Sequence, residues 1–103
     1  MKDTNKIKKM KSSCEEVCQI LKALSHPRRL LVMGYLLEGP KTVGDLVNLC
    51  GAAQSQMSQF LTRMKFEGLV NSEKQGKYQV YSLADQRLVQ LIETIQKEYC
   101  KTK

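Results

Sequence analysis

One short segment of this 103-residue chain is crowded with amide and hydroxyl side chains. Met57, Phe60, Leu61 and Met64 recur within it at helical spacing, which predicts a helix with one apolar and one polar face. Amide and hydroxyl groups both donate and accept hydrogen bonds, as telling base pairs apart in the major groove of DNA requires. The predicted base-edge or phosphate contacts are Gln54, Ser55, Gln56, Ser58 and Gln59. The alternative is an ordinary solvated helix face.

Basic side chains after this segment can contact phosphates, which position a protein on DNA without specifying its sequence. The further predicted DNA contacts are Thr62, Arg63, Lys65, Lys74, Gln75 and Lys77. A net charge of +7, from 17 Lys and Arg against 10 Asp and Glu, also suits a polyanionic partner. The roles of Arg28 and Arg29 stay open, because both can equally cap a helix or form salt bridges within the fold.

The cysteines offer a second kind of chemistry. Cys14 and Cys18 are four residues apart and share one helix face, Cys50 takes an apolar position, and Cys100 follows the last predicted helix. The basic N-terminus is not followed by the apolar segment of a secretion signal, so we expect a cytoplasmic protein with reduced thiols. Such thiols can be structural, bind metal or react with oxidants. In the structural alternative, Cys14 and Cys18 are small buried side chains and Cys100 is a frayed-end thiol.

Local signals predict the elements that position these groups. Thr42 and Asp45 form a T-x-x-D helix start, Pro27 suits the first position of a helix, and Asp85 opens the last one. The predicted order begins with a flexible basic arm (1–12) and a helix from Ser12 or Ser13 to about Leu24. Three helices follow, from Pro27 to about Leu37, from Thr42 to Cys50 and from Gln54 to Glu67. The chain then forms a hairpin of 69–73 and 78–83, with Gln75, Gly76 and Lys77 at its bend, and a last helix from Asp85. The fold class is mainly α with a small β-hairpin wing (α+β), a winged helix-turn-helix over residues 13–103.

The last predicted helix carries an apolar stripe that is too long for a free surface helix. Its members are Leu88, Leu91, Ile92, Ile95 and Tyr99. A stripe of this kind at the end of a small domain predicts a seam between two copies of the chain. The alternative is that it packs only on the core of its own domain.

Other classes of protein fit the sequence poorly. No uncharged stretch approaches the ~18 apolar residues that a membrane span needs, so we expect a soluble chain. The single histidine, His26, has no evident carboxylate or nucleophile partner, and there is no Gly-rich phosphate loop, so we expect no enzyme and no cofactor. A winged helix that contacts only proteins remains a rival interpretation.

Three segments of the chain together resemble the ArsR/SmtB family of bacterial dimeric repressors. They read LKALSHPRRLLVMGYLLEGPKTVGDL, SQMSQFLTRMKFEGLV and GKYQVYSL between Leu21 and Leu83. The resemblance implies five helices with a wing, a homodimer formed through the first and last helices, and an inverted-repeat operator in double-stranded DNA. Phe60 is a departure, because the family often has His at this position.

The resemblance also guides the search for an inducer site. The family's Cys-x-Cys metal motif would fall at 42–44, where there is no Cys, and its zinc site on the last helix would meet Arg87 and Lys101, which do not bind metal at neutral pH. Cys100 resembles the C-terminal sensor cysteine of the sulfide- and persulfide-responsive, HlyU-like subgroup. In that subgroup the second cysteine lies on the second helix, where this chain has Gly34.

These patterns predict a dimeric, sequence-specific transcription regulator, most simply a repressor, whose affinity for DNA changes when cysteines are oxidised or persulfidated. Cys100, Cys18 and Cys14 are the predicted sensing residues, and a sulfur species or an oxidant is the predicted inducer. No standard metal site is expected. The alternative is a thiolate sensor of Zn(II), Cd(II) or As(III) that uses the same three cysteines.

Overall fold

A computed structural model of the chain describes residues 4–100. Its elements are α1 (Asn5–Leu24), α2 (Pro27–Leu36), β1 (Lys41–Thr42), α3 (Val43–Cys50), α4 (Gln54–Phe66), β2 (Val70–Gln75), β3 (Tyr78–Leu83) and α5 (Gln86–Tyr99). The strands form one antiparallel sheet in the order β1-β3-β2. The predicted fold class is confirmed, with one strand, β1, that the sequence analysis missed.

The start of α1 differs from the prediction. Thr4 caps the helix by accepting a hydrogen bond from the backbone N–H of Ile7, so the predicted cap at Ser12 or Ser13 is wrong. Residues 5–12 are helical, and the predicted division of the chain at residue 12 falls inside α1. Residues 1–3 of the predicted arm lie outside the described residues, and the mobility of the arm stays a prediction.

Side-chain caps fix the starts of α2, α3 and α5. Thr42 and Asp45 form a complete capping box on α3, and each side chain bonds the other residue's backbone N–H. The hydrogen bond from the Thr42 N–H holds the pKa of Asp45 below its ordinary value. Asp85 caps α5, and His26 caps α2 ahead of Pro27. The turn between α3 and α4 has Gly51 in the left-handed conformation, with φ of 68°.

The core is built from α2, α3, α4, α5 and the start of β2. Its fully buried members with the largest side chains are Met33, Leu46, Met57, Leu61, Met64, Leu69, Ile92, Val32 and Val70. Every apolar position of α4 that the helical spacing assigned to the interior is buried or half-buried. The wing is thereby attached to α4 through Leu69 and Val70.

The wing is a two-stranded hairpin with a short turn at Gly76 and Lys77. Gln75 belongs to β2 and pairs with Tyr78, so the predicted bend was one residue too wide. Gly76 has φ of 62°, a conformation that glycine adopts without strain. The third strand, β1, pairs Lys41 with Tyr81 and so connects the wing to the start of α3.

The helices at the two ends of the chain are less well covered. α1 packs mainly on α2, and α5 packs on β3. Leu88 and Ile92 of the predicted α5 stripe are buried, Leu91 and Ile95 are half-buried, and Tyr99 is 84% exposed. No helix within residues 4–100 has the length and apolar character to cross a membrane.

Candidate DNA-binding interface

The outward face of α4 is polar and open to solvent. With Met57, Leu61 and Met64 buried, helical geometry turns Ser55, Gln59 and Thr62 away from the core. Ten of the eleven predicted DNA contacts are exposed, and only Ser58 is half-buried. The structure therefore presents the predicted set on α4 and the wing, although DNA contact by each residue stays a prediction.

The first turn of α4 lacks a side-chain cap. Its N-cap is Ala53, which has no polar side-chain atom, so the first backbone N–H groups of the helix have no side-chain acceptor. Free N–H groups and the positive end of the helix dipole both favour a phosphate oxygen at this position. The start of α4 can thus accept a DNA phosphate without displacing a side chain.

The N-terminus of α2 contacts one side of α4. The imidazole of His26 accepts a hydrogen bond from the N–H of Arg28, and its ring lies edge-on to Phe60 with centroids 5.1 Å apart. One turn earlier on α4, Gln56 accepts a 2.8 Å hydrogen bond from the Arg28 guanidinium. The interpretation of His26 as a capping residue is confirmed, and Arg28 is placed beside the predicted base-contacting helix.

Two predicted phosphate contacts on α4 already have partners within the chain. Arg63 forms an ion pair with Glu67 at 2.9 Å, and Arg29 contacts the same carboxylate at 3.2 Å. The Lys65 ammonium donates a 2.6 Å hydrogen bond to the hydroxyl of Ser72 on β2. The Arg63 side chain is still 70% exposed. A phosphate would therefore share or replace these surface partners, which costs little because exposed ion pairs are weak.

The tip of the wing combines charge with an aromatic ring. Lys74 and Lys77 are exposed, and the Lys77 ammonium lies 5.4 Å from the centre of the Tyr78 ring. The ring attracts the cation and keeps it near the turn. The wing thus places two cations and the amide of Gln75 at one end of the hairpin.

The four cysteines fall into two environments. Cys14, Cys18 and Cys100 are exposed, whereas Cys50 is half-buried against the core. Burial raises the pKa of the Cys50 thiol, which lowers its thiolate fraction and its reactivity. The prediction that Cys50 belongs to the core is confirmed. The buried-hydrophobe alternative for Cys14 and Cys18 is wrong within one chain.

Among the exposed cysteines, Cys14 and Cys18 lie on α1, whereas Cys100 lies at the end of α5. Asp85, through a hydrogen bond, and Glu16, through its charge, both raise the pKa of Arg87, so the middle of α1 lies near the start of α5. Cys100 follows Arg87 by 13 residues, or about 20 Å of helix. Residues 4–100 contain no cluster of three or more His, Cys, Asp or Glu side chains able to hold a metal. The layout therefore gives Cys100 no evident in-chain partner in Cys14 or Cys18.

Position 34 is the place on α2 that faces Cys100's part of α5. A side-chain carbon at Gly34 would lie 3.5 Å from the Gln96 amide, and Gln96 precedes Cys100 by one helical turn. Glycine provides no thiol at this position.

Three exposed residues outside the predicted set of DNA contacts lie at or beside this surface. Arg28 reaches α4 from a segment 28 residues away, Tyr78 lies under Lys77, and Phe66 is 89% exposed on the outward face of α4. Phe66 follows Gln59 by seven residues, a spacing that would have placed it on that face. No local pattern indicates the contact of Arg28.

Comparison with known proteins gives a consistent result. A model of the bacterial regulatory protein arsR family matches residues 26–72. The chain is 36% identical over 88% of its length to the HTH-type transcriptional regulator YgaV of Escherichia coli, of which it covers 93%. It is 30% identical over 92% of its length to the transcriptional activator HlyU of Vibrio cholerae, of which it covers 88%.

Solved structures agree with these sequences. The transcriptional repressor BigR from Xylella fastidiosa superposes with a TM-score of 0.85 at 32% identity, covering 92% of this chain and 97% of that one. Reduced HlyU from Vibrio cholerae superposes with a TM-score of 0.83 at 30% identity, covering 90% and 98%. These relatives are transcription regulators and not enzymes. The chain belongs to the ArsR family of bacterial regulatory proteins.

Proposed function

We propose that this protein is a cytoplasmic homodimeric repressor that binds an inverted-repeat operator in double-stranded DNA. The observation that carries the proposal is the exposed amide and hydroxyl face of α4, flanked by the basic wing. Similarity to the repressor BigR supports the sign of regulation. The predicted contacts divide into base-edge contacts from Gln and Ser on α4 and phosphate contacts from Lys on the wing.

The exposed side of α1 supports a dimer. Its apolar side chains repeat at alternating steps of three and four residues, the heptad pattern of paired helices. The repeat consists of Ile7, Met10, Cys14, Val17, Leu21 and Leu24. The large side chains from Ile7 to Leu21 are 40–59% exposed in one chain, whereas Leu24 is buried in its own core. We call this row the α1 seam.

A groove beside the α1 seam supports the same conclusion. It has a volume of about 880 Å³ and lies between α1, the end of α4 and the start of α5. Val17 and Leu21 line it together with Leu91 of the α5 stripe. A second copy would cover this apolar surface and set the distance between the two α4 helices. Operator half-sites about one DNA turn apart would then match the dimer.

We further propose that thiol chemistry at this dimer surface controls DNA affinity. Cys100 is exposed at the end of α5, and Cys14 takes a central position in the α1 seam. Oxidation of two thiols by a peroxide would form one disulfide between subunits and release two waters. Attack of the Cys100 thiolate on a polysulfide would instead form one S–S bond and break another, which gives a persulfide and releases the polysulfide shortened by one sulfur. Either product would favour one angle between the subunits, and about 2.7 kcal/mol of such bias lowers operator affinity 100-fold.

Selection of duplexes from a random pool tests DNA binding. We expect the wild-type protein to enrich an inverted repeat, and the double variant Gln56→Ala, Gln59→Ala to lose that selectivity. Selectivity retained by the double variant would assign base recognition to other residues. A wild-type protein that enriches no duplex would favour a winged helix whose partner is a protein.

Gel shifts with and without hydrogen peroxide or a polysulfide test the thiol switch. We expect treated wild-type protein to release the operator, and Cys100→Ser to resist. Cys50→Ser is the matched control and should behave like wild type. Intact mass distinguishes a disulfide, which loses two protons, from a persulfide, which gains one sulfur. Operator binding that is unchanged by treatment would refute the switch and leave the DNA proposal intact.

A further inference from the structure

The contact between Arg28 and Gln56 determines which hydrogen-bonding groups Gln56 has available for DNA. A guanidinium has only donors, so the atom of the Gln56 amide that it contacts at 2.8 Å must be the oxygen, Oε1. The orientation of this amide is therefore fixed by chemistry. One lone pair of Oε1 is used, and no hydrogen bond among residues 4–100 engages the two N–H groups of Nε2.

The position of Arg28 is itself well determined. Its backbone N–H bonds the His26 cap, and the His26 ring packs on Phe60, which lies one turn after Gln56 on the same side of α4. His26 and Arg28 at the start of α2 thus contact two successive turns of α4. The backbone of Arg28 is held beside α4 by the His26 cap, and its guanidinium reaches Gln56 from there.

Base recognition depends on the free groups. A glutamine that binds adenine uses both its oxygen, as acceptor for N6, and its N–H, as donor to N7. Guanine presents two acceptors, O6 and N7, in the major groove. The guanidinium lies beside the second lone pair of Oε1, and its charge disfavours the approach of the adenine N6 donor. Gln56 is therefore complementary to guanine and poorly complementary to adenine.

We infer that Arg28 is a specificity-determining residue, which positions Gln56 as a hydrogen-bond donor and makes the protein prefer guanine at the base pair that Gln56 contacts. This inference rests on the proposed binding of operator DNA by α4. Arg28 acts through Gln56 and need not contact a base. Its loss frees Oε1, so that Gln56 can also bind adenine.

Affinities for a selected operator and its single-base variants test the inference. For wild-type protein, we expect changing this guanine to adenine in one half-site to weaken binding roughly 5- to 150-fold. Arg28→Met keeps the length of the side chain but removes its donors, and should reduce this discrimination to about threefold or less, or reverse it. Preferences at the other positions should not change.

Two control variants isolate the role of Arg28. Lys74→Met removes the same charge from the wing and should weaken binding to all sequences by one common factor. In a Gln56→Ala background, Arg28→Met should produce no further change in base preference. Both Arg28 and Lys74 are exposed, and circular dichroism of each variant verifies the fold.

The outcomes separate this inference from the proposed function. Loss of affinity in Arg28→Met by the same factor for every sequence, with the guanine preference intact, would show a phosphate contact and overturn the inference alone. A wild-type protein without sequence preference would overturn the proposed function and this inference with it.

Discussion

The DNA-facing half of the molecule, residues 41–83, differs from the α1–α5 half in how fully one chain buries its apolar side chains. In the DNA-facing half, α4 buries Met57, Leu61 and Met64 fully, and both strands of the wing pair along their length. In the α1–α5 half, α1 buries only Ala23 and Leu24 and leaves its seam exposed. The DNA-facing half is therefore complete within a single chain, whereas the proposed switch needs two chains.

The largest expected effect tests the completeness of the DNA-facing half. Leu61→Ala removes a fully buried side chain from α4 and should lower the free energy of unfolding by about 2–5 kcal/mol in urea denaturation. The matched control, Ser55→Ala on the outward face, should stay within about 0.5 kcal/mol of wild type. An unchanged urea midpoint for Leu61→Ala would mean that Leu61 is not packed in the core as described.

The second test concerns the α1 seam. Val17→Glu places a charge on the seam and should convert the dimer to a monomer in sedimentation experiments. Operator affinity should then fall about 100-fold or more, because two linked recognition helices bind with avidity that one lacks.

Ser12→Glu adds the same charge on the opposite face of α1 and should leave both the dimer and operator affinity unchanged. A dimer that survives Val17→Glu would contradict the proposed role of the seam.

A smaller effect is expected at the capping box of α3. Thr42→Ala removes the cap and should destabilise the protein by about 1 kcal/mol. Asp45 has a pKa below its ordinary value of 3.8 in the folded state, because its carboxylate accepts the Thr42 N–H. The contribution of Asp45 to the free energy of unfolding is therefore fully present above this ordinary pKa. It is lost as the pH falls through the lowered pKa of the folded state. Thermal melts of Asp45→Asn and wild type should differ at pH 7 and converge in acid below about pH 4.

The smallest effect is expected at the wing tip. Lys74→Ala removes one proposed phosphate contact, so the slope of log affinity against log salt should become shallower by about one. Filter binding at several salt concentrations measures this slope. An unchanged slope would place Lys74 away from the DNA and shift the proposed phosphate contacts towards Lys77.

The features that the sequence predicted well depend on residues close together in the chain. Thr42 and Asp45 indicate a capping box because three residues separate them, and buried positions of α4 follow from helical spacing. The start of α1 was missed because Ile7 and Met10, among four lysines, are too few to indicate an apolar helix face by themselves. The contact of Arg28 with Gln56 could not be predicted from the sequence, because it forms only when the start of α2 meets α4.

The two-residue strand β1 has a mechanical consequence. Thr42 is at once the last residue of β1, paired with Val80, and the N-cap of α3, so the backbone of the wing and the first turn of α3 meet at one residue. This shared residue restricts movement of the wing relative to α3. In the proposed dimer, each copy would therefore move as one rigid unit, and an inducer would change the fit to DNA by tilting one copy against the other.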